Sequence, residues 1–152
     1  MNSQQILYAL SAMNRYVSIN CFVLAADEFA LLDLNQLVEL TVLICNVDPF
    51  WLPGGHWVCV FVDQHSEVYD FFDSYGKHFK TYGNHFSALN QCCVNVNNIV
   101  MQLLVSNICG QYCLVYAYFK SYELNLNAFV KKLDLRANQA ARNDKIIKKT
   151  YF

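Results

Sequence analysis

Four residues of the 152-residue chain have the types and spacing for acyl transfer through a thiol: His56, Asp73, Gln102 and Cys109. Cys109 sits in the stretch Ser106-Asn107-Ile108-Cys109-Gly110-Gln111-Tyr112-Cys113-Leu114-Val115-Tyr116-Ala117-Tyr118-Phe119, where a polar turn gives way to a run almost without polar groups. That pattern predicts a buried helix with Cys109 in its first turn. There the positive end of the helix macrodipole favours thiolate over thiol. Gly110 is expected to let a substrate backbone approach closely, because it carries no side chain. Most buried cysteines only pack, so the chemistry depends on the other three residues.

His56 follows Gly54-Gly55 and immediately precedes a strand-like run, and Asp73 ends the next one, 73 − 56 = 17 residues on. Two such runs joined by a short loop form an antiparallel hairpin, which brings the start of one strand beside the end of the other. A carboxylate placed there can hold an imidazole in one tautomer and orientation. Asp70 also flanks the second strand, but side chains three apart point to opposite faces, and the spacing selects Asp73. Gln102 lies 109 − 102 = 7 residues before the cysteine. Its amide could donate to the oxyanion of a thioester-forming intermediate, together with the Cys109 N–H.

The elements that must position these residues read as one α+β domain over residues 1–152. A short helix is expected at 3–13 with Ser3 as N-cap, then a strand from Val17 to Leu24 and a turn through Ala26-Asp27-Glu28-Phe29. Helical spacing follows from Leu31 to Leu40, then a strand at Thr41–Val47. Asp48 to Gly55 holds both prolines and is the clearest loop. The hairpin strands are Trp57–Val62 and Glu67–Phe72, with the loop at 63–66. Residues 77–90 read as helical and Cys92–Val105 as a further strand. The Cys109 helix, a segment Leu126–Leu133 and a C-terminal helix from about Ala137 complete the chain.

Composition is 55% hydrophobic and 15% charged, more apolar and less charged than the usual ~45–50% and ~25%. No apolar run is long enough to cross ~30 Å of hydrocarbon, which excludes a membrane span. The start of the sequence lacks the basic lead of a signal peptide. The seven cysteines are therefore expected as thiols in a reducing compartment. Cys21, Cys45, Cys59 and Cys113 read as packing residues. His78, His85, Cys92, Cys93, Cys109 and Cys113 offer metal ligands but contain no Cys-x-x-Cys pair, so no metal site is expected. Charge is lopsided: residues 1–76 hold Arg15 against nine acidic side chains, whereas residues 131–149 hold Lys131, Lys132, Arg136, Arg142, Lys145, Lys148 and Lys149 against Asp134 and Asp144. That tail suits either a solvated helix face or a basic patch for nucleic acid or an acidic partner.

The ordered set Gly55-His56-Trp57, Tyr69-Asp70-Phe71-Phe72-Asp73-Ser74-Tyr75-Gly76, Gln102 and Asn107-Ile108-Cys109-Gly110-Gln111-Tyr112-Cys113 resembles the adenain family, the maturation proteases of adenoviruses. It is also similar to cysteine proteases of Polinton/Maverick elements and, more distantly, to SUMO-specific proteases. The resemblance covers roughly residues 20–120, including Phe22-Val23-Leu24-Ala25-Ala26-Asp27-Glu28. It implies a papain-like, adenain-like fold, with a small mixed sheet packed on the central helix that carries the nucleophile. Cys109 would be the nucleophile, His56 the base, Asp73 its orienting acid, and Gln102 with the Cys109 N–H the oxyanion hole. SUMO-specific proteases usually place aspartate directly before the cysteine, where this chain has Ile108. Adenain carries glutamate at the third position, where Asp73 agrees with the other relatives.

The function implied is a cysteine endopeptidase that processes viral or transposon-encoded capsid precursors at glycine-containing sites, acting inside the host nucleus or cytoplasm or packaged in a virion. The alternative is an isopeptidase for a ubiquitin-like modifier; the short chain and Ile108 favour the viral branch. An acyltransferase using the same constellation is a third class. No cofactor is needed for the chemistry. By resemblance, an activating peptide could be tethered near Cys92 and Cys93, ten and nine residues before Gln102, and DNA could bind the basic tail.

Overall fold

The computed structural model describes residues 1–13, 19–37, 39–52, 54–122, 125–133 and 139–151. Its α+β architecture has a five-stranded sheet at the centre: β1 (Asn20–Leu24), β2 (Thr41–Asn46), β3 (Trp57–Asp63), β4 (Val68–Phe72) and β5 (Val94–Val96), in that spatial order. β1 runs parallel to β2 and β5 parallel to β4, while β2, β3 and β4 pair antiparallel. The sheet is therefore mixed. The helices are α1 (Ser3–Met13), α2 (Ala26–Ala30), α3 (Cys109–Lys120), α4 (Leu126–Lys132) and α5 (Ala140–Tyr151), and a kinked 3-10 segment spans Phe79–Gln91.

The central strands are apolar on both sides because both faces are covered. All six residues of β2 are buried, the pattern of a strand sandwiched between layers. Alternation sends Val42, Ile44, Trp57, Cys59, Phe61 and Phe72 toward α1, α3, α4 and α5. It sends Leu43, Cys45, Val58, Val60 and Phe71 toward Phe29, Phe79, Phe86 and Leu89 on the other face. Helix α3 buries nine of its twelve residues. A helix apolar on nearly every side belongs in a core rather than at a surface, and this one carries Cys109 at its first position.

Several sequence expectations shift. The hairpin loop has four residues but lies at 64–67, since Asp63 pairs with Val68. Glu67 closes it with a φ of 53°. The expected turn at 26–29 is helix α2, capped by Glu28 Oε2 accepting from the Ala25 N–H at 2.7 Å. The helical spacing from Leu31 to Leu40 yields only a 3-10 turn at Leu34–Gln36. Asp33 bonds the Asn35 N–H and both neighbouring amides there, a local alternative to continued helix. The long strand expected over Cys92–Val105 is three residues of β5 followed by irregular backbone. Val17 and Ser18 of the expected first strand, and Arg136 and Ala137 near the expected start of the last helix, lie outside the described residues. Among the described residues no helix is long and apolar enough to cross a membrane.

Candidate active site

His56 and Asp73 are brought together at one end of the β3–β4 hairpin. His56 Nε2 lies 2.7 Å from Asp73 Oδ1, and both side chains are buried. The carboxylate is held from every side. Its Oδ1 also accepts from the Tyr75 N–H at 2.8 Å, and its Oδ2 accepts from the Tyr82 hydroxyl at 2.5 Å. Asn97 fixes the backbone at the same place, accepting from the Asp73 N–H at 2.8 Å and donating to its carbonyl at 2.7 Å. Asp70, by contrast, is turned toward α3. It accepts from Lys120 Nζ at 2.9 Å, the Tyr116 hydroxyl at 3.0 Å and Asn95 Nδ2 at 2.9 Å.

With Nε2 committed to Asp73, the other imidazole nitrogen is the one left for a reacting group. Nδ1 is buried and has no hydrogen-bond partner of ordinary geometry among the described residues. His56 and Cys109 nonetheless shift each other's ionisation. Burial pulls the imidazole's pKa down, but Asp73 and Cys109 outweigh burial and push it from 6.5 up to about 9. Burial raises the Cys109 thiol, yet the His56 imidazolium, helped by the Trp57 and Gly110 N–H groups, brings it below the ordinary thiol value. The pair therefore favours thiolate and imidazolium over thiol and imidazole. Cys45, Cys59 and Cys113 go the other way, raised by desolvation in the core.

Gln102 is fully buried and lies in irregular backbone rather than at a strand end. Its Oε1 accepts from the Ser74 hydroxyl at 2.6 Å, which orients the amide. Its Nε2 donates to the Ser106 carbonyl at 2.7 Å and lies 3.4 Å from the Tyr75 hydroxyl. The Tyr75 ring stacks on His56 with centroids 4.5 Å apart and an interplanar angle of 22°. Tyr75 therefore spans the His56 imidazole and the Gln102 amide, and its hydroxyl donates to the same Ser106 carbonyl at 3.2 Å. The Ser74 carbonyl accepts from the N–H groups of both Met101 and Gln102, at 2.9 and 3.0 Å.

Gly110 has a packing role. A Cβ there would lie 3.2 Å from Met1 Cβ and 3.3 Å from Ile6 Cδ1. The missing side chain lets Met1 and Ile6 pack closely against α3. Cys92 and Cys93 are free thiols at the end of the 3-10 segment. They line a cavity of about 540 Å³ with Leu34, Gln64 and Tyr69, apart from the four site residues.

Tyr75, Tyr82, Ser74 and Asn97 are the residues that sequence reasoning missed. The turn Ser74-Tyr75-Gly76 directly after Asp73 was the one available pointer; Tyr82 and Asn97 carried no signal of their own. Among the described residues no group of three or more His, Cys, Asp or Glu could hold a metal ion. No protein-family model and no curated protein matches the chain.

Proposed function

We propose that the chain is a papain-like cysteine endopeptidase of adenain type. The observation that carries this reading is the buried His56–Asp73 pair at 2.7 Å, which leaves His56 Nδ1 without a partner, with the Cys109 thiol brought below its ordinary pKa by the same imidazole. The thiolate attacks a peptide carbonyl carbon, forming a C–S bond and placing negative charge on the carbonyl oxygen. The Cys109 N–H is one donor for that charge, and the Gln102 amide is the other once one of its N–H groups turns from the Ser106 carbonyl or the Tyr75 hydroxyl. The His56 imidazolium gives its proton to the leaving amine as the C–N bond breaks. Water then attacks the thioester, His56 accepts its proton, and the acid leaves with thiolate restored. Asp73 holds the ring and stabilises its charged form throughout.

The substrates proposed are capsid precursors of a virus or transposon, cut at glycine-containing sites. The buried Ile108 before the nucleophile supports this over release of a ubiquitin-like modifier. A cleavage profile on a peptide library, with Cys109→Ala as control, tests the reading. Cutting of glycine-containing extended peptides by the parent chain alone is expected. Efficient release of a folded ubiquitin-like domain, without cutting of such peptides, would move the chain to the isopeptidase class.

A further inference from the structure

A cavity of about 350 Å³ adjoins the site, sharing Trp57 with it and reaching the loop that ends at His56. Its walls include Leu24, Leu52 and the Trp57 indole. Two carboxylates, Glu28 and Asp48, also line it, with no basic side chain among the described lining. Each carboxylate uses one oxygen locally, Glu28 for the Ala25 N–H at 2.7 Å and Asp48 for the Gly55 N–H at 2.9 Å. Their second oxygens accept nothing among the described residues.

Asn46, at the end of β2, points independently to a ligand here. It is 7% exposed and lines the same cavity. Its Oδ1 accepts from the Asp48 N–H at 2.9 Å, which fixes the amide's orientation. Its Nδ2 donates to nothing among the described residues, which leaves a donor for a ligand. Gly54 packs its backbone closely beside that nitrogen, where a Cβ would fall 2.2 Å from it. An amide donor of this kind suits the backbone carbonyl of an extended peptide.

Resting on the protease reading, we propose that this cavity is a substrate subsite for a lysine or arginine side chain. The apolar walls take the aliphatic stem and Glu28 and Asp48 take the cationic head, the division of labour long basic side chains use elsewhere. Asn46 Nδ2 holds the adjoining main chain. At about 350 Å³ the space is at the small end of ligand pockets, roughly 300–1,000 Å³, which fits one long side chain better than a folded partner's surface.

The test is a set of quenched fluorescent peptides of one frame, carrying lysine, norleucine or glutamate in turn at each position flanking the cut. At one position lysine should exceed norleucine in kcat/KM by about tenfold or more, with glutamate poorest. In the Glu28→Gln/Asp48→Asn variant that lysine-to-norleucine ratio should fall toward one. Both replacements keep an acceptor oxygen for the local N–H. Glu28→Gln alone, at an exposed position, should halve the preference or more, and a melting curve reports whether either variant stays folded. Equal cutting of all three peptides at every position, or a lysine preference that survives the variants, overturns the subsite and leaves the protease reading standing. Cutting of no peptide by the parent chain overturns both.

Discussion

Tyr82 donates its hydroxyl to Asp73 Oδ2 at 2.5 Å while His56 occupies Oδ1 at 2.7 Å, so one buried carboxylate joins a phenol and an imidazole. Without that hydroxyl, Oδ2 would be buried with no donor. A group stranded in this way costs roughly 1–3 kcal/mol. Tyr82→Phe should therefore lower both the melting temperature and turnover, the latter by about tenfold, because ~1.4 kcal/mol is a factor of ten in rate. A variant with unchanged kcat and unchanged stability would show that the bond does not matter.

Thiol reactivity should rank the cysteines. With its pKa lowered, Cys109 should react with iodoacetamide near pH 6 faster than exposed Cys93, and far faster than buried Cys45, Cys59 and Cys113. His56→Ala should slow the labelling of Cys109 and leave that of Cys93 alone. Turnover should follow a bell. It rises as the Cys109 thiolate forms below the ordinary thiol pKa of 9.0, and it falls above about 9 as His56 loses the proton needed by the leaving amine. Peptide mapping by mass spectrometry across pH checks the first part, and kcat/KM against pH checks the second.

Asp70 and Asp73 should fail in different ways. Asp70→Asn leaves Lys120 buried with its charge uncompensated, and breaking such a pair costs about 3–5 kcal/mol of stability. Asp73→Asn should cost chiefly rate, by roughly a hundredfold or more, since it loosens the imidazole and weakens its charged form. Denaturation midpoints and kcat, measured on both variants, separate the two. A larger rate loss at Asp70 would move the orienting role there.

Gln102→Ala removes a side-chain donor and unties Ser74 and Ser106 together. A loss of about 10²–10³ in kcat is expected, the usual size for one oxyanion donor. Gln102→Glu restores the acceptor for the Ser74 hydroxyl but places an anion against the Ser106 carbonyl, so it should not rescue. Recovery of activity in the glutamate variant would mean that Gln102 only supports the loop.

Lys145, Lys148 and Lys149 on α5 are exposed, with Asn143, Asp144 and Ile147 turned inward, which does not choose between a solvated face and a basic patch. If nucleic acid acts as an activator there, added DNA should raise kcat/KM at low salt, and the gain should fade as salt rises. Peptide activation through Cys93 should disappear in Cys92→Ser/Cys93→Ser. Full activity of the chain alone, indifferent to both additions, removes the activator idea.

The pair His56–Asp73 was legible because a hairpin needs only apolar runs and a short loop, and a one-residue slip of that loop left both ends together. The α3 core helix was legible from its nearly unbroken apolar run. Residues 92–105 were not: their weak alternation suggested a strand, yet after Asn97, whose N–H still reaches Phe71 of β4, the backbone at Met101 and Gln102 bonds to the Ser74 turn. Tyr82 and Asn97 reach Asp73 from 9 and 24 residues away, contacts fixed by tertiary packing with no local period. Gly110 illustrates the reverse case, a residue beside the nucleophile whose smallness serves the packing of α1.

Ser74 ties the turn that holds Asp73 to the segment that holds Gln102. Its carbonyl grips the main chain at Met101 and Gln102, its hydroxyl grips the Gln102 side chain, and its preceding neighbour is Asp73. Gly76, with a φ of 67°, sits two residues on, where a Cβ would strike the Ile99 backbone at 2.7–2.9 Å. On the proposed reading, proton transfer and charge stabilisation share a single hinge pin. Substitutions at Asp73 and Gln102 should combine far less than additively, and any ligand that displaces residues 74–76 would silence both halves of the chemistry in one movement.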